Sequence, residues 1–167
     1  GVDVIMFDDD FRYGMLGDTP GCLCPLHVAR INEIIGETLT REELAEKIAA
    51  DPLRGLKRYA AYFGDCAGLR VANICGSCGK KAVPLAVMGA EVSVFDISGG
   101  NARYANEMAQ AAGVTLDYQV CDVLEIDMEK YGGCFDTVFM EGGVLHYFHN
   151  LPVFMQKMHS LLKNGGK

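Results

Sequence analysis

The sequence predicts an α/β protein, a doubly wound and mainly parallel sheet preceded by a helical extension. Three observations predict it. Short apolar runs recur at 71–75, 91–95, 115–120 and 135–140, each of a length and composition suited to a strand. Helical spacing fills the gaps at 80–88 and 100–112 and follows the last run at 151–162. The first 64 residues carry mainly helix signals. Strands that alternate with helices are joined by right-handed crossovers, which set parallel strands side by side under two layers of helix. The expected division is therefore a helical extension or lid over 1–64 and a sheet core over 65–167.

The elements follow in order. Residues 1–23 mix an acidic triplet, Asp8 to Asp10, with Phe7, Phe11, Tyr13 and several glycines, and the lack of a period predicts an irregular segment. Apolar residues at helical spacing over 26–35 stop at Gly36; Thr40 followed by Glu43 is a capping box that opens a helix to about Ala50. Asp51 and Pro52 suit the cap and first position of another helix, ending near Gly64. Beyond the first strand, 76–79 is a turn of small residues, and the helix after it closes at Gly89. Pro84 lies inside that helix and predicts a kink or a lost hydrogen bond. The second strand ends on Asp96, Gly113 stops the next helix, and Asn150 caps the last one.

Composition narrows the function. With 167 residues, half of them hydrophobic, the chain makes one domain with a substantial core. A net charge of −7 argues against a nucleic-acid backbone or an anionic membrane as main partner and favours a small-molecule substrate. The longest uncharged stretch, 142–156, is too short to span a bilayer, and the acidic N-terminus does not read as a secretion signal. Seven cysteines at irregular spacings, with Cys75, Cys121 and Cys134 inside apolar runs, read as reduced thiols of a cytoplasmic protein.

The stretch 71–98 carries the chemistry. A small-residue turn between strand and helix lets a ligand approach free backbone N–H groups, while a carboxylate at the tip of the neighbouring strand can accept both hydroxyls of a ribose. Asp96 occupies that tip. An adenine needs an apolar slot with one polar handle, which Asp122 beside Val123 and Leu124 offers at the third strand end. An adenosine-containing ligand follows.

Four motifs in order, VANICGSCG, VSVFDIS, YQVCDVLEID, and FDTVFMEGGVLHYF with LLKNGGK, give the chain its likeness. From about Leu69 to its end it resembles the class I S-adenosylmethionine-dependent methyltransferases. The resemblance implies S-adenosylmethionine as cofactor and methyl transfer to a small molecule by direct displacement. It implies cofactor contacts from Asn73, Cys75, Gly76, Ser77 and Gly79 in the first motif and from Asp96 and Ile97 in the second. Asp122 and Val123 would flank the adenine, and Glu141 and Gly142 would approach the sulfonium. His146 is the candidate base that takes the acceptor's proton, and Tyr13 and Tyr147 are candidates for the acceptor side. The chain departs from the family at Asn73, where an acidic residue is usual, and at Cys75 and Ser77, where glycines are usual. Four strands are found where the family has seven. That predicts a truncated core whose bare fourth strand invites aggregation or pairing with another chain, a second copy (homo-oligomer) included.

Other readings use the same residues. Cys75 and Cys78 have the spacing of a thioredoxin-like redox centre at a helix N-terminus, but no proline between Pro84 and Pro152 can serve as its cis-proline. A zinc site from Cys22, Cys24 and His27 with Cys75 and Cys78 lacks paired ligand spacing, so no metal is expected. A dinucleotide dehydrogenase would need a glycine pattern that is not met. A non-catalytic relative of the methyltransferases is favoured only by the changes at Asn73, Cys75 and Ser77. For single residues the plainer roles are a helix cap at Asp96, a turn cap at Asp122, and solvated loop positions for His146 and His149.

Overall fold

A computed structural model describes residues 15–16, 19–20, 25–49, 56 and 59–167. Tyr13, the acidic triplet, Cys22, Cys24 and the Asp51-Pro52 helix signal lie outside the described residues. Two short strands, β1 (Met15–Leu16) and β2 (Thr19–Pro20), pair antiparallel within the segment read as irregular. Helices α1 (Pro25–Ile35), α2 (Arg41–Ala49) and α3 (Ala60–Phe63) follow. The core then runs β3 (Arg70–Ile74), α4 (Ala82–Val87), β4 (Glu91–Asp96), α5 (Gly99–Ala111), β5 (Asp117–Val120), α6 (Met128–Tyr131), β6 (Thr137–Phe139) and α7 (Leu151–Leu161).

The four strands from β3 onward form one parallel sheet in the order β5-β4-β3-β6. The chain steps outward from β3 to β4 and β5, then crosses back to place β6 on the other side of β3. The direction of winding therefore reverses between β3 and β6, and the crevice above that reversal is where open α/β sheets hold ligands. Alternation along the strands explains the two cores. Ala72, Ile74 and Phe95 face one way and join Phe135, Phe154 and Leu161, whereas Val71, Val92 and Val94 face the other and join Leu56, Phe63 and Leu85. Phe95, Phe135 and Phe154 are wholly buried, and each contributes about 2–3 kcal/mol through its burial.

Helices α1 and α2 pack on the helices α4 and α5 of the core. Ile31 and Leu44 share a cluster with Val83, Met108 and Ala109, and Arg41 pairs with Glu107 at 2.5 Å. The capping box forms in both directions: Thr40 N donates to Glu43 Oε2 at 2.7 Å, and Glu43 N donates to Thr40 Oγ1 at 3.2 Å. Asn150 Oδ1 likewise caps α7 by accepting from Val153 N at 3.2 Å. At Pro84 one rung is lost, since Val83 N donates to Gly79 O and Leu85 N to Lys81 O with none between them. The helix starts at Ala82, later than the sequence suggests, which puts Pro84 in the first turn, where a missing N–H is least costly.

The β6 edge differs from the bare strand expected. Val138 N donates to Lys167 O at 2.9 Å and Lys167 N donates to Asp136 O at 3.0 Å, so Lys167 lies in register as a parallel neighbour of β6. The sequence reading also missed α6, although its cap is present in the sequence as Asp127, which accepts from Glu129 N at 2.9 Å. No helix among the described residues is long and apolar enough to cross a membrane.

Candidate functional site

The turn from β3 into α4 is built on left-handed backbone. Cys75 and Ser77 both have φ 49°, and Gly79 has φ 79°. A side chain in that region costs about 1–2 kcal/mol, so neighbouring structure must hold Cys75 and Ser77 there. Cys75 N donates to Phe95 O at 2.7 Å, extending the β3–β4 ladder by a rung. Ser77 N donates to Asp96 Oδ2 at 3.0 Å, and the Tyr118 hydroxyl donates to Ser77 O at 2.8 Å. Gly76 is required for space: a Cβ there would lie 2.6 Å from Val94 Cγ1 and 2.7 Å from Asn73 Oδ1. Gly79 is required for both reasons, because its Cβ would also lie 2.8 Å from Ala105 Cβ.

Asp96 is 8% exposed at the tip of β4. Its Oδ1 accepts from Ser98 N at 2.9 Å and from Asn101 Nδ2 at 3.4 Å. Capping of α5 falls to Ser98, whose Oγ accepts from Asn101 N at 3.2 Å. Asn73 is 2% exposed; its Nδ2 reaches Phe139 O at 3.5 Å, but its Oδ1 has no hydrogen-bond partner. An unsatisfied buried acceptor costs about 1–3 kcal/mol, and this one lies beneath the Gly76 turn.

Burial, then Asp96, Asp122 and Cys121, push the Cys75 thiol up to about 11. Burial raises Cys121 as well. A redox centre needs a thiol lowered toward neutrality. The shift at Cys75 runs the other way and does not favour the thioredoxin-like reading.

At the third strand end, Asp122 Oδ1 accepts from Leu124 N at 2.8 Å and so caps a short 3₁₀ turn over 123–125. Val123 faces inward at 4% exposure, packed with Phe95. The apolar side chains left open at this edge are Ile97, Val120 and Leu124, at 76%, 53% and 42% exposure. Val120 was missed in the sequence, although its place at the end of an apolar run next to Asp122 could have marked it.

On the far side of β3, Glu141 pairs with Lys81 at 3.5 Å. Gly142 and Gly143 follow with φ 81° and 78°. They lead into a 3₁₀ turn over 144–147 that carries His146 and Tyr147, whose rings lie 4.2 Å apart. Both side chains are exposed. The structure thus ties Ser77, Asp96 and Tyr118 into one bonded group, with Asn73 packed under Gly76 but bonded to Phe139, and Glu141 to the start of α4, while His146 and Tyr147 stand on an open loop.

A parallel sheet wound in this order, with a glycine-bearing turn after its central strand and a buried carboxylate on the next, defines a doubly wound domain of the nucleoside-binding type. Residues 71–166 match the family model described as a methyltransferase domain. The chain belongs to that family, and S-adenosylmethionine is the cofactor that goes with it. It is 29% identical over 150 residues to a ubiquinone biosynthesis O-methyltransferase of Nitrobacter winogradskyi, covering 89% of this chain and 51% of the relative. A ubiquinone biosynthesis O-methyltransferase of a Ruegeria species is 33% identical over 124 residues, covering 74% of this chain and 47% of the relative. The chain spans about half the length of these curated relatives. Its fold also resembles a magnesium protoporphyrin IX methyltransferase of Synechocystis PCC 6803, solved with S-adenosylhomocysteine, at TM-score 0.55 and 20% identity over 83% of this chain and 64% of that one.

Proposed function

We propose that this chain transfers a methyl group from S-adenosylmethionine to a hydroxyl oxygen of a small-molecule acceptor. The observation that carries the reading is the buried Asp96 carboxylate at the tip of β4, bonded to the N–H of Ser77 in the left-handed turn. A carboxylate held there suits the two hydroxyls of a ribose. The orphaned Asn73 Oδ1 fits the same ligand, since a neutral amide oxygen can accept from the methionyl ammonium in place of the family's usual acid. Ile97, Val120 and Leu124 supply apolar walls for the adenine, with Asp122 as handle for its amine. Glu141 and Gly142 lie on the sulfonium side. The names of the relatives support oxygen as the accepting atom.

When bound, the cofactor supplies an electrophilic methyl group on a sulfonium. What remains for the chain is to align an acceptor and receive its proton. His146 is the proposed base: it would take the hydroxyl proton of the acceptor held beside it. Tyr147 stands beside it as a wall for the acceptor. On this reading residues 1–64 are a helical extension added to the catalytic core of 65–167, and the free thiols of Cys66, Cys75, Cys78, Cys121 and Cys134 support a reducing, cytoplasmic setting.

Calorimetric titration with S-adenosylhomocysteine, with NAD as control, tests the cofactor reading; micromolar binding to the first alone is expected, and no binding refutes it. Asp96→Ala should weaken that binding by about 1–3 kcal/mol, roughly five- to 150-fold. Unchanged affinity in the variant would remove the ribose assignment.

A further inference from the structure

We propose that Tyr118 is a positioning residue of the cofactor turn, whose hydroxyl clamps Ser77 in its left-handed conformation and so keeps the Ser77 N–H on Asp96. The inference rests on the cofactor reading given above and adds a residue that none of the four motif roles includes. Ser77 is a non-glycine residue at φ 49° between Gly76 and Cys78. Two bonds hold its two peptide groups, one from Ser77 N to Asp96 Oδ2 at 3.0 Å and one from the Tyr118 hydroxyl to Ser77 O at 2.8 Å. The first belongs to the group that would meet the ribose, and only the second comes from outside the strand pair that makes the turn.

The placement of Tyr118 follows from the sheet. Register pairs Val94 with Tyr118 and Asp96 with Val120, so β5 lies flush against β4 with Tyr118 two positions short of the strand tip. Its ring packs with the Val71, Val92 and Val94 core, which fixes the direction of the hydroxyl. Burial, with Asp96 close by, keeps that hydroxyl protonated well above the ordinary phenol range, so it remains a donor throughout the working pH range. A donor on a half-buried ring packed against the core is a suitable device for holding a strained carbonyl.

If the turn relaxes, the binding-competent population falls and the apparent dissociation constant rises in proportion. Tyr118→Phe removes the donor and keeps the ring. It should weaken S-adenosylhomocysteine binding about tenfold, the loss expected for about 1.4 kcal/mol of hydrogen bonding. It should also speed hydrogen exchange of the backbone amide at position 77. The specific signature is coupling. Repeated in a Ser77→Gly background, where left-handed backbone costs nothing, Tyr118→Phe should change both affinity and exchange by no more than about twofold.

The two readouts separate the outcomes. Wild-type chain that binds no S-adenosylhomocysteine refutes the cofactor reading, and the exchange measurement still decides the clamp. Equal losses in both backgrounds overturn the proposal, since they mean that Tyr118 only fills the core. Unchanged exchange at position 77 in the single variant also overturns it. If Tyr118→Phe alone does not fold, recovery of folding in the double variant supports the clamp and continued failure overturns it.

Discussion

The two halves of the candidate site are built differently. On the β4 side, Asn73, Asp96 and Gly76 are fixed by bonds and packing, and a Cβ at Gly76 or Gly79 would strike a neighbour within 3 Å. On the β6 side, Gly142 has open space around it, and His146 and Tyr147 stand exposed on a short turn. On the proposed reading the first half would meet a ligand whose shape is constant, where rigidity lowers the ordering cost of binding. The second half is the side proposed for the acceptor, and loops can vary there without disturbing the sheet. On the proposed reading, cofactor recognition would rest on the packing of the fold and acceptor recognition on a segment carried by it.

Paired glycine substitutions give the largest expected effect. Gly79→Ala adds left-handed strain of about 1 kcal/mol to an overlap with Ala105 costing about 2 kcal/mol, so urea denaturation should show a loss near 3 kcal/mol. Gly142→Ala has the same backbone strain, with φ +81° and no neighbour within 4 Å, and should lose only about 1 kcal/mol. Equal losses at the two positions would break the contrast between a packed half and an open half. Next comes His146→Gln, which should lower kcat about a hundredfold, near 2.7 kcal/mol in the barrier, without altering S-adenosylhomocysteine affinity. A variant that loses affinity instead would place His146 on the cofactor side.

Much of the first half was legible in the sequence. The apolar runs of β3 and β4, the glycine-bearing turn and Asp96 are local features, and local features set strand, turn and tip without help from elsewhere. The capping box at Thr40 and Glu43 is legible for the same reason. What stayed hidden depends on partners distant in the chain. The Tyr118–Ser77 bond spans 41 residues and exists only because β5 pairs with β4 in one register. The left-handed backbone at Cys75 and Ser77 cannot be read from residues that disfavour it; tertiary bonds impose it. Val123 offered an apolar residue beside Asp122, but the 3₁₀ turn there directs it inward and leaves Leu124 at the surface.

The smallest effect follows from the Cys75 thiol and tests whether the packed half excludes water as its geometry implies. Folding raises this thiol from 9.0 to about 11 through burial and the nearby carboxylates. The folded chain therefore binds the proton more tightly than the unfolded one, and stability due to this group is complete below pH 9. It is lost as pH rises from 9 toward 11, because the unfolded thiol ionises first and the folded one must then ionise within a site that opposes the charge. Reduced wild-type chain should lose urea resistance across that window more steeply than Cys75→Ala in the same buffers, and alkylation of Cys75 should remain slow until the upper end of it. Tyr118 and Cys121 are also raised and are present in both proteins, so the difference reads Cys75 together with its coupling to these two neighbours. Parallel curves would mean that water already reaches the thiol and that the turn is looser than its hydrogen bonds indicate. A steeper wild-type curve would place the low-dielectric floor of the cofactor half directly beneath the turn that replaces two glycines with Cys75 and Ser77.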